Sequence, residues 1–505
     1  MRLLTAAEHG QLDRATMQKD GLSEIDLMER AATAWSDRFV ELFPSTELEV
    51  AVVCGPGNNG GDGLVVARKL RLAGYPAFAI VVQPAPARAP LAHNLKRAHS
   101  VGVPIRYIGD ADETPTLAGP DLIIDAIFGT GLNRPPGGLP ARLIGAINAS
   151  PAEVVSLDLP SGLHVDSPTN GTVVKADRTL SLGYPKRALF APANTSYLGR
   201  WELVPFTVDE EFVDGLPPGD EMLTATAMAG LRQSRAANDH KGTFGHALIV
   251  AGSFGKMGAA VICARAALRA GAGQVTTHIP RSGYEIMQIS FPEAMCSIDP
   301  HRYRFTEISA ELTYEAIGVG PGLGTDPATL KGLTDLLEHR TSPIVLDADA
   351  LNLIAEHPEL WKIVPPSSIL TPHPKEFERL FGPSPDDFSR WELQRERAAS
   401  LGLVILLKTG YTTIATPDGR LFFNTTGNPG MATGGTGDAL TGIVTGLLAQ
   451  GYGATNAARL SVFLHGLAGD LAAEVHGQES LLAEDVVQNI GRAFRALIRH
   501  PNKRR

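Results

Sequence analysis

Two glycine-rich segments of this 505-residue chain carry an aspartate at a place where an anion or a cation would sit. In Asn428-Pro-Gly-Met-Ala-Thr-Gly-Gly-Thr-Gly-Asp438, four glycines fall within eleven residues, directly before an apolar helical run. The backbone N–H groups of Gly434, Gly435, Thr436 and Gly437 would point into one concavity at a helix N-terminus, which is an anion site. Asp438 lies at its mouth. An aspartate serving only as a helix N-cap would not need such a glycine run. The helix N-terminus favours the ionised carboxylate by about 0.3–2 kcal/mol, so a lowered pKa and a weak base are expected at neutral pH. Such a group can accept a proton from an alcohol as that alcohol attacks a phosphoryl group, while the loop amides stabilise the developing charge.

Polar groups at other strand ends point to the same chemistry. Lys408-Thr409-Gly410-Tyr411-Thr412 sets a lysine before a glycine turn, which suits nucleotide phosphates or ribose; a solvated strand-end lysine is the other reading. Asp347-Ala-Asp349-Ala-Leu-Asn352 follows a strand and could hold a metal-bound phosphate. His373 sits between two prolines, a rigid presentation, or is a surface loop histidine.

The earlier segment, Gly55-Pro-Gly-Asn58-Asn59-Gly60-Gly61-Asp62-Gly63, follows an apolar run and contains Gly-x-Gly-x-x-Gly. That spacing is the dinucleotide fingerprint, but its acidic partner about 20 residues on is missing, because the next strand ends in Val82-Gln83. Asp62, expected at the start of a helix running from Leu64 to Ala73, would repel a pyrophosphate unless a cation intervened. A plain dehydrogenase is therefore disfavoured. Asparagine side chains can ligate a metal, and two lie among the glycines. Asp125 ends one strand-like run before Phe128-Gly129-Thr130-Gly131-Leu132-Asn133, and Asp158 ends another before Leu159-Pro-Ser161-Gly. In open α/β sheets, ligands bind at the carboxyl ends of strands, so Asn59, Asp125, Asp158 and Ser161 could share one crevice. Each alone could equally cap a helix or make a turn.

The elements that must position these residues alternate between strand and helix. Apolar positions recur at helical spacing from about Glu24 to Leu42, and strand-like runs follow at Leu48–Cys54, Ala77–Val82, Asp121–Ile127, Val154–Leu157 and Thr179–Leu182. An acidic, Pro- and Gly-containing stretch, Val208 to Glu221, marks a domain boundary. Beyond it strands are expected at His246–Val250, Gln274–Thr277, Ala316–Val319, Pro343–Leu346, Ser368–Leu370 and Leu403–Leu407. A hairpin, Tyr411–Ala415 and Leu421–Phe423, turns at Pro417-Asp-Gly, and helices follow at Asp438–Ala449 and Ala457–Val475. Both halves read as α/β domains with helix-covered, mainly parallel sheets.

Composition excludes some functions. The net charge is −9 and the only basic cluster of note is Lys503-Arg504-Arg505, which disfavours a nucleic-acid partner. No apolar stretch is long enough to cross a membrane. Charge follows Met1 too soon for a signal peptide, and the three cysteines fit neither a disulfide framework nor a zinc site. A cytoplasmic protein is expected, with Cys54 and Cys263 as small core residues.

Taken together, Gly55 through Gly63, Asp125-Ala-Ile-Phe-Gly-Thr-Gly131 and Asp158-Leu-Pro-Ser-Gly162 resemble the NAD(P)H-hydrate epimerase domain. From His240-Lys-Gly onward, Gly318-Val-Gly-Pro-Gly322, Asp347-Ala-Asp-Ala-Leu, Thr371-Pro-His-Pro-Lys-Glu-Phe, Lys408-Thr-Gly and Asn428 through Asp438 resemble the ADP-dependent NAD(P)H-hydrate dehydratase. The resemblance implies a Rossmann-like doubly wound domain over 1–213 and a ribokinase-like α/β domain over 223–500. It implies epimerisation of R- and S-NADHX and NADPHX, and dehydration of the S form with conversion of ADP to AMP and phosphate. By carry-over, Asn58 to Asp62, Gly129 to Arg134 and Asp158 would hold the hydrate in the first domain, with Asp158 handling protons. Asn59, Asp125 and Ser161 would bind K+. In the second domain Ala260, Gly322 and His373 would contact the hydrate, Lys408 to Thr412, Asn428 and Gly434 to Gly437 would bind ADP with Mg2+, and Asp438 would be the base. Ala188 stands where the family's lysine-containing loop has glycine, which leaves Lys186 without an assigned role. A homo-oligomer is expected. The rival reading is a ribokinase-like small-molecule kinase with a non-catalytic N-terminal nucleotide-binding module.

Overall fold

The computed structural model describes residues 1–82, 89–308 and 313–498; Gln83 and the basic tail lie outside these. The chain divides into two compact units, Arg2–Gly219 with Asp386–Phe388, and Met1 with Asp220–Pro385 and Ser389–Arg505.

The first unit holds seven parallel strands: β1 (Val50–Cys54), β2 (Ala77–Val82), β3 (Ile105–Ile108), β4 (Leu122–Ala126), β5 (Glu153–Leu157), β6 (Arg178–Leu182) and β7 (Arg200–Val204). Their order is β3-β2-β1-β4-β5-β6-β7, a doubly wound sheet whose winding reverses between β1 and β4. Register there pairs Val53 with Asp125 and Cys54 with Ala126, so the loops after both strands open beside each other. Every residue of β1 and β4 is buried, which is why β1 reads as an unbroken apolar run and β4 as one broken only by Asp125. Trp35, Phe39 and Leu64 fill one face of the sheet, and Leu143, Ile144 and Ile147 the other.

The glycine segment folds differently from the expectation. The helix starts at Asn58, runs to Leu72, and takes Asp62 into its second turn. The glycines serve close packing: a Cβ on Gly55 would lie 1.9 Å from the Ile127 carbonyl oxygen, and one on Gly60 would lie 1.9 Å from that of Gly55. The loop therefore presses the helix start against the ends of β1 and β4.

The second unit adds β8 (Glu221–Met222), β9 (His246–Val250), β10 (Gln274–Pro280), β11 (Met295–Asp299), β12 (Ala316–Val319), β13 (Ile344–Leu346), β14 (Ile369–Leu370), β15 (Val404–Leu407), β16 (Thr413–Ala415) and β17 (Leu421–Phe423). The order is β11-β10-β9-β12-β13-β14-β15-β16-β17-β8. Pairing is parallel except around β16, the expected hairpin, which is antiparallel to both neighbours. Helices Thr436–Ala449, Ala454–His476 and Ala483–Ile498 bury Ile443, Val444, Leu464 and Ile490 in a core shared with β13 to β17. Cys54 and Cys263 are buried and free of disulfides, as expected of core residues. Among the described residues no helix is long and apolar enough to cross a membrane.

Candidate functional sites

In the first unit, a cavity of about 740 Å³ opens over the β1/β4 reversal. Asn58, Asn59, Asp62, Gly129 to Arg134, Asp158 and Lys186 line it. Gly60 and Gly61 do not; they are buried in the first turns of their helix. Asn58 donates to Glu24 Oε1 at 2.8 Å.

Asp158 follows β5 with φ +76°, a left-handed conformation that costs a side-chain-bearing residue energy and is held by its surroundings. This turn aims the carboxylate back at β6. Leu182 N–H donates to Oδ1 at 3.1 Å, and Lys186 Nζ lies 2.7 Å away in an ion pair whose lysine is 1% exposed. The ammonium also donates to Ser181 Oγ at 3.0 Å and to the Leu182 carbonyl at 2.8 Å. Burial pushes the Asp158 carboxyl up, but Lys186 outweighs it and holds the group below the usual carboxylate range. Ala188 is fully buried in the short helix Arg187–Phe190, so the loop closes without the glycine. The resemblance marked the loop of Lys186 but gave the lysine no role; its partner is set by the β5 and β6 ends.

Beneath the cavity lies a fully buried carboxylate, Asp125. Ser161 Oγ donates to its Oδ1 at 2.5 Å, Ser161 N–H to Oδ2 at 2.7 Å and Ser156 Oγ to Oδ2 at 3.0 Å. Burial raises its pKa against these neutral donors. Asn59 sits close by, donating to the Leu157 carbonyl at 3.4 Å. Asp62 is raised well above the ordinary value by burial and by Asp158, Asp13 and Glu24.

In the second unit, Gly435 (φ +92°) turns the chain into helix Thr436–Ala449. Asp438 stands in the first turn, half-buried, and makes no capping hydrogen bond. Its pKa is raised to about 6, chiefly by burial and then by Asp347, with Lys408 opposing. This reverses the expected lowering: desolvation and a second carboxylate outweigh the helix N-terminus. The result is a base better matched to neutral pH.

Asp347 is not placed to hold a metal-bound phosphate by itself. It is 1% exposed, accepts from Lys408 Nζ at 2.8 Å and from Thr441 Oγ1 at 2.7 Å, and so fixes the lysine beside the glycine turn. A Cβ on Gly437 would lie 3.5 Å from that ammonium. Thr409 Oγ1 donates to the Tyr411 carbonyl, and Thr412 Oγ1 to that of Thr409, closing the turn after β15. Asn428 Nδ2 donates to Asp470, which also receives Gly427 N–H. His373 caps helix Pro374–Phe381: its Nδ1 accepts from the N–H groups of Lys375 and Glu376. Burial lowers its pKa, leaving Nε2 as the N–H of a neutral, partly exposed ring. Gly322 receives Ser253 Oγ at 2.7 Å on its carbonyl. Ala260 is fully buried in the core, packed under Gly252.

The chain is thus built of two α/β domains, a Rossmann-like unit with a cavity lined by carboxylates at its switch point and a ribokinase-like unit whose glycine turn opens a helix carrying Asp438. The comparisons with known proteins agree. Residues 247–492 match the NAD(P)H-hydrate dehydratase family model, and residues 24–188 match the model described as YjeF-related protein N-terminus. A bifunctional NAD(P)H-hydrate repair enzyme of Moorella thermoacetica is 37% identical over 98% of this chain and 97% of its own length. Its counterpart in Thermofilum pendens is 35% identical, again over 98% and 97%. The ADP/ATP-dependent NAD(P)H-hydrate dehydratase of Bacillus subtilis, crystallised with ATP and Mg2+, is 33% identical and superposes with a TM-score of 0.50 over 56% of this chain and 100% of its own. The chain belongs to the family of bifunctional NAD(P)H-hydrate repair enzymes.

Proposed function

We propose that residues 1–213 interconvert the R and S epimers of NADHX and NADPHX, and that residues 223–500 dehydrate the S epimer to NAD(P)H while ADP becomes AMP and phosphate. The observation that supports this reading best is a pair of unlike carboxylates. Asp158 is held ionised by Lys186, whereas Asp438, in the first turn after the glycine loop, takes up its proton at about pH 6. In the first site Asp158 takes the proton of the C6 hydroxyl as the C6–N1 bond breaks, leaving a C6 aldehyde, and passes the proton to N1. Attack of N1 on the other face of the aldehyde, with the proton returned to the oxygen, recloses the ring as the other epimer. In the second, Asp438 takes the hydroxyl proton as that oxygen attacks the β-phosphorus of ADP and AMP leaves. Phosphate then departs with the C6–O bond, driven by the ring nitrogen, and loss of a C5 proton restores the dihydropyridine. The hydrate would be held by Asn58 to Asp62 and Gly129 to Arg134 in one domain and near Ala260, Gly322 and His373 in the other. Lys408 to Thr412, Asn428 and Gly434 to Gly437 would hold the nucleotide.

Asn59, Asp125 and Ser161 offer an amide oxygen, a carboxylate and a hydroxyl, the hard oxygen set that suits K+. The fit is supported by the burial of Asp125 among neutral donors alone. The ion would supply a fixed positive charge beside the hydrate's anionic groups. Mg2+ is expected to enter with the nucleotide, carried largely by its phosphates. A cytoplasmic protein without nucleic-acid or membrane partners suits the composition, and a homo-oligomer is the expected assembly.

The test is incubation of the purified chain with mixed hydrates and Mg2+, with ADP and separately with ATP. Recovery of absorbance at the NADH band, with one nucleotide cleaved per NAD(P)H, supports the reading. Phosphorylation of a thiazole or pyridine alcohol without such recovery supports the kinase instead.

A further inference from the structure

Two side chains of the first helix face the epimerase cavity without an assigned task. His9 and Asp13 stand one turn apart on helix Ala6–Asp20, hence on one face, and both line the cavity that holds Asp158 and Lys186. His9 Nε2 is shielded from solvent and has no hydrogen-bond partner among the described residues. Leaving such an atom unpaired costs about 1–3 kcal/mol, so its persistence beside a cavity points to a partner that arrives with the ligand.

The two groups differ in polarity. Burial, then Lys186, lowers the His9 pKa to about 3, so the ring is neutral and presents one N–H. Asp13 keeps an exposed edge at the cavity mouth; loss of water on its cavity side, then Asp158, raises its pKa to about 6, which leaves it largely a carboxylate at pH 7.5 and above. A donor and an acceptor one helical turn apart are complementary to a primary carboxamide, whose carbonyl accepts and whose NH2 donates. The substrate class proposed above carries that group on the ring that reacts, at C3, across the ring from the C6 carbon that Asp158 must reach.

We infer that His9 and Asp13 form the carboxamide-recognition pair of the epimerase site, with His9 Nε2–H donating to the carboxamide oxygen and Asp13 accepting from its NH2. The inference rests on the epimerase reading of this cavity. Both residues recognise a group that does not react, so their loss raises KM more than it lowers kcat. They also make the site selective for the amide over a methyl ketone of the same shape.

The experiment measures epimerisation by wild type, His9→Ala, His9→Gln and Asp13→Ala with two substrates, the hydrate of NADH and the hydrate of reduced 3-acetylpyridine adenine dinucleotide. Dehydration of the S hydrate by the same chains and their melting curves control for folding. His9→Ala is expected to raise KM about tenfold, and His9→Gln, which keeps an N–H, to recover most of it. Wild type is expected to disfavour the acetyl analogue about tenfold, and Asp13→Ala to lose that preference. An unchanged KM in His9→Ala, or full discrimination in Asp13→Ala, overturns the inference. A wild-type chain that does not epimerise the NADH hydrate overturns the proposed function instead.

Discussion

Replacing Lys186 with methionine removes one half of a buried ion pair. The pair is 2.7 Å apart, with side-chain exposures of 1% for Lys186 and 10% for Asp158. Breaking such a pair by removing one partner costs about 3–5 kcal/mol, because the remaining charge is left desolvated. For a domain of this size about 1 kcal/mol moves Tm by roughly 2–4 °C, so the N-terminal transition falls by roughly 6–20 °C. The loss depends on pH in a defined direction. In wild type the folded Asp158 pKa lies below its ordinary value, so its contribution is present above the usual carboxylate range and is lost as pH falls through the folded value. Without Lys186, burial raises that pKa above the ordinary value. The folded variant then binds the extra proton, and its deficit is largest at pH 8 and shrinks toward pH 5. Calorimetry at both values checks this, with the double variant Lys186→Met/Asp158→Asn recovering part of the loss. The epimerisation profile should lose its neutral plateau and regain activity toward alkaline pH. Equal melting temperatures at pH 8, together with an unshifted pH profile, would refute the buried-pair account.

Other consequences are equally direct. Dehydration by wild type should fall about tenfold per pH unit below about pH 6, as Asp438 takes up its proton, and Asp438→Asn should lose at least about 10²-fold; steady-state profiles from pH 5 to 8 check both. The same variant should melt slightly higher at pH 8, since it removes a half-buried charge facing Asp347. Gly60→Ala places a Cβ 1.9 Å from a backbone oxygen, so a cost at or above the upper end of about 1–3 kcal/mol is expected in denaturant melts. Exchanging NaCl for KCl should raise wild-type epimerisation, and Asp125→Asn should abolish that response while dehydration stays unaffected; a response retained by the variant counts against the cation site.

The strands that sequence pattern located are the largely buried ones, such as β9 and β12, whose residues are apolar apart from His246 at the start of β9. β3, β7, β8 and β11 were not expected, and all four lie at sheet edges. Ile105-Arg-Tyr-Ile108 and Met295-Cys-Ser-Ile-Asp299 keep exposed positions among their apolar ones, so neither period nor hydrophobicity marks them. Asp158 and Asp438 were legible because each follows a strand or glycine turn at a fixed offset. His9 and Asp13 were not, and Lys186 was noticed without a role, since only the folding of distant segments onto one cavity gives them a meaning. The pKa of Asp438 went the other way for the same reason: the helix start is local in sequence, whereas Asp347 and the burying core are not.

The central claim is that one chain carries two separable active sites. Resolved R and S hydrates, presented to Asp158→Ala and to Asp438→Ala in the presence of ADP and Mg2+, test it most directly. Asp158→Ala should convert S hydrate to NAD(P)H and leave R hydrate unrepaired beyond its spontaneous epimerisation. Asp438→Ala should equilibrate R and S without producing NAD(P)H. Loss of both activities in both correctly folded variants, or the retention of wild-type rates in either, would contradict the account.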